Sequence, residues 1–335
     1  MKGFATMLLL IGMVSCTPET DRWIKNENVG AALGTSYNII YLTEQKVDYQ
    51  KEIDSVFTAV NRSLSTYIPD SDISKINRGD TTVVVDQMFR EVLERSKEVN
   101  HKTNGYFDPT VGALVNAWGF GPGPELAMDS LKVDSLLAFV GLDKINITDK
   151  GTITKANANV YLDFNAIAKG YSIDRLALLM DQKGVQNYLL EVGGELVSKG
   201  ENRLKMKPWL VGIDDPQIED GRGLKIMIYL KDRALASSGN YRKYRIDPLT
   251  GTKFVHTVDP KTGFTKNGNS LGVTVLADNC ATADAFATAF MAMDLEEAMA
   301  YLAGQSELDA YIVYLDKQGR TQEFMTAGLK ALLVE

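Results

Sequence analysis

The run ATADAFATAF (281–290) places Asp284 and Thr288 four residues apart. On a helix that spacing puts both side chains on one face. A carboxylate and a hydroxyl are hard oxygen ligands. They suit Mg²⁺, which takes one or two protein groups and completes its shell with phosphates and waters. Alanines at 281, 283, 285, 287 and 289 mark a closely packed helix. An aspartate inside such a helix is costly unless something pairs with it. The competing reading is a polar helix start, with Asp284 favouring the macrodipole. A second stretch, LDFNAIAKGYSIDR (162–175), reads as a strand ending at Asp163 that feeds a helix bearing Lys169 on its first turns. A helix N-terminus offers free N–H groups that suit a pyrophosphate, and Lys169 adds a point charge. The alternative is a capping Asp163 and a solvated Lys169. His256 lies in FVHTVDPKTG (254–263), just before turns at Asp259-Pro260 and Thr262-Gly263. Histidine is well placed to act as a general base at neutral pH, although a lone histidine is more often structural.

Around these residues are groups that could shape a ligand site. Gly193-Gly194 and Ser237-Ser238-Gly239 permit close backbone approach, or simply turns. Tyr67 and the Tyr106-Phe107-Asp108 step could stack on a planar ring or serve as core, as could Trp118. Other chemistries are set aside. The chain has no phosphate loop of the Gly-x-x-x-x-Gly-Lys type, and Gly119, Gly121 and Gly123 neither follow a strand nor escape interruption by Pro122 and Pro124. It has two histidines (His101, His256), two cysteines (Cys16, Cys280) and no His-Glu-x-x-His or Cys-x-x-Cys, so a zinc site is not expected. No nucleophilic serine elbow is present. A net charge of −7 without a Lys/Arg run argues against nucleic acid and against an electrostatic grip on anionic lipid.

The elements that must position these groups follow from periodicity. Tyr37–Tyr41, Tyr188–Val192, Leu224–Leu230 and Leu271–Ala277 read as strands. Ile53, Val56, Phe57, Val60 and Leu64 recur at helical spacing. Asp86 caps a helix stopped by Asn104-Gly105, and Ser130–Val140 ends at Gly141. Ile145–Lys155 reads as a hairpin turning at Asp149-Lys150-Gly151. Val160–Asp163 reads as a strand, followed by a helix from about Ala166 to Asp181. Thr282–Met293 is a helix, and a further helix and two strands close the chain. The expected class is α+β, with a mixed or antiparallel sheet and packed helices. At the start, Lys2, the apolar stretch Phe4–Val14 and Ser15 before Cys16 read as a lipoprotein signal (1–15). The stretch is too short to span a membrane. Cys16 would carry the lipid, residues 16–27 a tether, and 28–335 a single domain, exported and held on the extracytoplasmic face of the membrane. Cys280 is then left without a disulfide partner and is expected to be a buried small residue.

Eight stretches in order resemble the ApbE family of flavin transferases. They are LGTSYNIIY (33–41), SLSTYIPDSDISKIN (63–77), NGYFDPTVGALVNAWGFG (104–121), LDFNAIAKGYSIDR (162–175), EVGGEL (191–196), ASSGNYRKY (236–244), HTVDPKTG (256–263) and TADAFATAF (282–290). The resemblance implies a single ApbE-like domain with an FAD cleft between lobes. Leu33, Tyr67, Tyr106, Phe107, Asp108, Asp163, Lys169 and Val258 would contact FAD. Asp284, Thr288 and the carbonyl of Ala166 would hold Mg²⁺ or Mn²⁺. His256 would deprotonate the acceptor hydroxyl. The implied reaction is transfer of FMN from FAD to a threonine of an acceptor protein, such as a subunit of an ion-pumping redox complex, with release of AMP. Its rivals are FAD hydrolysis to FMN and AMP at the same site, and a non-catalytic flavin-binding lipoprotein. The chain departs from the family where Leu33 replaces a common Met and Asn165-Ala166 a common pair of glycines.

Overall fold

A computed structural model describes residues 22–218, 223–240, 244–246, 251 and 253–334. The signal segment and Cys16 lie outside the described residues. In chain order the elements are β1 (Ile24–Ala32), β2 (Thr35–Thr43), α1 (Gln50–Leu64), α2 (Asp72–Asn77), α3 (Gln87–Lys102), α4 (Gly112–Ala117) and α5 (Ser130–Leu137). Then come β3 (Ile145–Ile147), β4 (Ile153–Lys155), α6 (Ala168–Gln182), β5 (Asn187–Val192), β6 (Glu195–Lys199), β7 (Trp209–Asp214), β8 (Leu224–Leu230) and β9 (Ala234–Gly239). The last are β10 (Tyr244–Ile246), β11 (Lys253–Val255), β12 (Ser270–Ala277), α7 (Cys280–Ala292), α8 (Leu295–Ala303), β13 (Asp309–Leu315), β14 (Thr321–Met325) and α9 (Ala327–Lys330).

Eight strands form one antiparallel sheet in the order β1-β2-β5-β6-β9-β12-β13-β14. Its two faces are both covered, and the strand residues alternate between two cores, as the pleat requires. Ala234, Ala236, Val275 and Ala277 face α1, α3, α6 and α7, whereas Leu235 and Leu276 face the β7–β8 hairpin and α9. The small residues on β9 let α7 lie close to the sheet. Its own Ala283, Ala285, Ala287 and Ala289 are fully buried, so α7 is a core helix, polar only at Thr282, Asp284 and Thr288.

Most of the expected elements are present. The Asp86 carboxylate accepts from the Phe89 N–H at 2.9 Å and starts α3, which Asn104 (φ 48°) and Gly105 (φ 83°) end. β3 and β4 pair across Gly151, at φ 80°. Two readings need correction. Residues 24–27, taken as tether, already belong to β1. The sheet is antiparallel, one of the two forms expected; among the described residues a parallel pairing occurs at the isolated bridge Val111–Tyr161. Residues 160–163 are not a strand but an extended strap, held by side chains and by the backbone of 109–111. Asn77 both donates to the Leu162 carbonyl and accepts from its N–H, each at 2.8 Å, and Lys155 donates to the Val160 carbonyl. A turn at 165–167 then delays the helix start to Ala168.

Candidate active site

The strap, α6 and α7 meet at one cavity. Tyr67, Tyr106, Phe107, Asp108, Asp163, Ala166, Lys169, His256, Val258, Asp284 and Thr288 all line it. Leu33 is the exception. It sits at φ 53° in the β1–β2 turn, against the core, and is not among the cavity's lining residues.

The floor is the crossing of α6 and α7. Asp284 is 5% exposed and its Oδ2 accepts the Gly170 N–H at 3.0 Å. Burial pushes its carboxyl up, while Lys169 and that N–H pull it back down. Asp284 therefore has the pairing that an aspartate in this helix needs. One turn on, Thr288 Oγ1 lies 3.5 Å from Ser238 Oγ on β9. The free helix N-terminus expected for α6 is partly spent. The Ala168 N–H goes to the Phe164 carbonyl at 2.7 Å and that of Gly170 to Asp284. The lysine side chain thus carries more of any phosphate contact than the helix end does. Lys169 Nζ is in turn held 2.5 Å from Glu195 Oε1, and Glu195 is 1% exposed.

The walls are aromatic and acidic. Asp163 Oδ1 accepts from the Asn165 N–H at 2.8 Å, which shapes the turn before α6. Tyr67 stands out at the rim, 57% exposed, and its hydroxyl is raised by burial and by nearby Asp163. Lys261 Nζ sits 3.9 Å from the centre of the Tyr106 ring, and burial with a hydrogen bond to Glu297 pushes the Tyr106 hydroxyl up to about 12. Phe107 is buried, and Asp108 accepts from the Thr110 N–H at 2.8 Å and its hydroxyl at 2.5 Å. Opposite, His256 follows β11, edge-on to Phe120 with ring centres 6.5 Å apart. The turn after it is pinned from below, where Trp118 Nε1 donates to the Gly263 carbonyl at 2.9 Å. Trp118 is thus core.

Several groups resolve toward structure. Gly193 and Gly194, at φ 62° and 97°, make the β5–β6 turn and lie outside this cavity, whereas Ser237-Ser238-Gly239 line it. Cys280 is fully buried, as expected, with its thiol pushed well up. Sequence reading missed Glu195, although EVGGEL contains it; a charge placed directly after a Gly-Gly turn is the signal that pointed there. It also missed Asn77, which fixes the strap.

The donor set bears on a metal. Among the described residues no group of three or more His, Cys, Asp or Glu could hold one. Asp284 and Thr288 bring one carboxylate and one hydroxyl to the cavity, beside Ala166. That suits Mg²⁺, which keeps waters and phosphates. Among the described residues that line the cavity, the carboxylates Asp108, Asp163, Glu195 and Asp284 outnumber the one lysine, Lys169, and this charge favours a cation. A pyrophosphate entering among them needs further positive charge.

The chain compares closely with known proteins along its length. Residues 33–312 match the ApbE family. The FAD:protein FMN transferase of Haemophilus influenzae is 32% identical over 330 residues, covering 95% of this chain and 93% of that protein. The Vibrio cholerae FAD:protein FMN transferase is 33% identical over 312 residues, 91% of each. The solved flavin transferase ApbE from Vibrio cholerae superposes with a TM-score of 0.80 at 32% identity, covering 93% of this chain and all of that one. The Pseudomonas stutzeri flavinyl transferase ApbE gives 0.79 at 27% identity, covering 92% and 97%. The chain belongs to the ApbE family.

Proposed function

We propose that this chain transfers the FMN half of FAD to a threonine hydroxyl of an acceptor protein and releases AMP. The observation that carries the reading is the convergence of His256, Lys169 and the Asp284–Thr288 pair on one cavity with an aromatic wall. In the transfer, the threonine oxygen forms a bond to the FMN phosphorus. The bond from that phosphorus to the bridging oxygen breaks, and AMP leaves with the electron pair. The hydroxyl proton passes to His256. Such chemistry is chiefly positioning and charge neutralisation. Lys169, aimed by Glu195, binds phosphate oxygens. Tyr67, Tyr106, Phe107 and Asp108 seat the isoalloxazine, and Asp163 and Val258 line the same cavity. Asp284, Thr288 and the Ala166 carbonyl would hold Mg²⁺, or Mn²⁺ in its place, which when bound neutralises phosphate charge.

The chain is further proposed to act outside the cytoplasm, lipid-anchored through Cys16, on exported or membrane-facing redox subunits. The support is the apolar segment ending in Ser15-Cys16. No helix among the described residues is long and apolar enough to cross a membrane. Cys16→Ala should move the protein from the membrane fraction to the soluble one, and a membrane fraction that stays unchanged would refute the anchor.

His256→Ala tests the chemical reading. Loss of a general base costs about 10²–10⁴ in rate. The variant should bind FAD, read by quenching of flavin fluorescence, yet transfer FMN slower by that factor. Transfer at the normal rate removes His256 from the mechanism.

A further inference from the structure

At the crossing of α6 and α7 the two backbones touch. A Cβ on Gly170 would stand 2.3 Å from the Cys280 carbonyl oxygen. Two carboxylates fasten this contact from opposite sides. Asp284 of α7 accepts the Gly170 N–H near the start of α6, at 3.0 Å. Asp174 of α6 accepts the N–H groups of Cys280 and Ala281, the first two residues of α7, at 2.7 and 2.9 Å. Each helix start is thus held by an aspartate of the other helix. Asp174 takes no place in the active cavity; it faces a separate one behind α6, beside Arg95 and Asn279.

Local capping does not account for Asp174. α7 has a cap of its own, because the Asn279 side chain accepts from the Thr282 N–H at 2.9 Å. Nor is Asp174 an inexpensive anchor. It is a carboxylate in a buried setting, and desolvation pushes it up to about 6 despite its two backbone donors and nearby Arg95. What it adds is register. It ties α7, which carries Asp284 and Thr288, to the helix that carries Lys169.

We infer that Asp174 is a positioning residue, which sets α7 on α6 and thereby the placement of the Asp284–Thr288 pair relative to Lys169. The inference rests on the proposed metal role of that pair. A carboxylate that accepts two N–H groups has no amide equivalent, since an amide turns an NH₂ donor toward one of them. Residues that orient metal-binding groups typically cost 10–100-fold in metal affinity when altered.

The test compares Asp174→Asn with Asn279→Ala in the whole protein. The Mg²⁺ concentration that half-saturates FAD binding is read from flavin fluorescence, beside FAD turnover and Tm. Asp174→Asn should raise the Mg²⁺ midpoint about tenfold or more, with turnover recovering at high Mg²⁺. Asn279→Ala removes the local cap of the same helix, leaves Asp174 in place, and should lower Tm without moving the midpoint. If Asp174→Asn does not fold, Asp174→Glu, which keeps the charge but displaces its oxygens, takes the same titration with the same expected rise. An unmoved midpoint in the folded Asp174 variant, or an equal rise in Asn279→Ala, overturns the inference. A wild-type protein whose FAD binding ignores Mg²⁺ overturns the metal reading, and the inference with it.

Discussion

Gly170→Ala is the smallest change that reaches the heart of this site. The added carbon would meet the Cys280 carbonyl oxygen at 2.3 Å, its carbon at 2.6 Å and the Ala281 nitrogen at 2.9 Å. Ordinary contacts begin at 3.4 Å. All three atoms are backbone, so no side chain can swing away, and the helices must part by about 1 Å. Removing a helical glycine returns up to about 1 kcal/mol, while overpacking costs about 1–3 kcal/mol. The net loss of stability in urea should therefore be modest, at most about 2.5 kcal/mol. Activity should suffer far more. The displaced backbone carries the Asp284 hydrogen bond and adjoins Lys169, and a misplacement of about 1 Å can cost about 10²-fold in rate. A urea melt and the initial rate of FMN transfer, measured on the same preparation, give both numbers. Wild-type transfer by a folded Gly170→Ala protein would refute the claim that the α6–α7 contact sets the catalytic geometry.

Two further outcomes follow from the charges. Glu195→Gln removes the negative partner of the Lys169 ion pair and should slow FMN transfer about tenfold, a loss of about 1.4 kcal/mol in transition-state stabilisation; an unchanged rate would show that Lys169 needs no aiming. Asp174 gives a pH signature in stability. Its folded carboxyl lies near 6 against an ordinary 3.8, so between those values the folded protein binds more protons than the unfolded one and stability falls as pH rises. The difference is worth about 3 kcal/mol, fully lost above about pH 6. Asp174→Asn should flatten the wild-type decline between pH 4 and 6 in denaturant melts, and an identical profile in both proteins would contradict it.

The sequence was most legible where packing and local chemistry agree. The cores of β2, β5 and β12 and the Asp86 cap of α3 are visible because most buried positions in those strands are apolar and the cap bonds its own helix. β1 was hidden because its buried positions are asparagines. Asn26 and Asn28 are 0% and 7% exposed, satisfied by Thr43 and by Asp48 with Tyr41, so the period-two pattern is there without the hydropathy. The strap at 160–163 misled in the opposite sense. Its apolar residues look like a strand, yet Asn77 supplies the bonds that a neighbouring strand would have given. In the site, the types and spacing of Asp163, Lys169, His256, Asp284 and Thr288 leave a structural and a functional reading side by side, and the family resemblance favours the second. Glu195 and Asp174 bond partners 26 and 106 residues away; the Gly-Gly turn before Glu195 is a local cue, and Asp174 has none.

The central claim is that FMN ends up on protein. It is tested by a mass spectrum of a threonine-containing acceptor domain incubated with this protein, FAD and Mg²⁺. The account predicts an adduct of FMN mass on a threonine, with AMP released, and no adduct when EDTA is present. Free FMN and AMP with an unmodified acceptor would contradict it and make the same site a hydrolase; intact FAD would contradict the catalytic reading altogether.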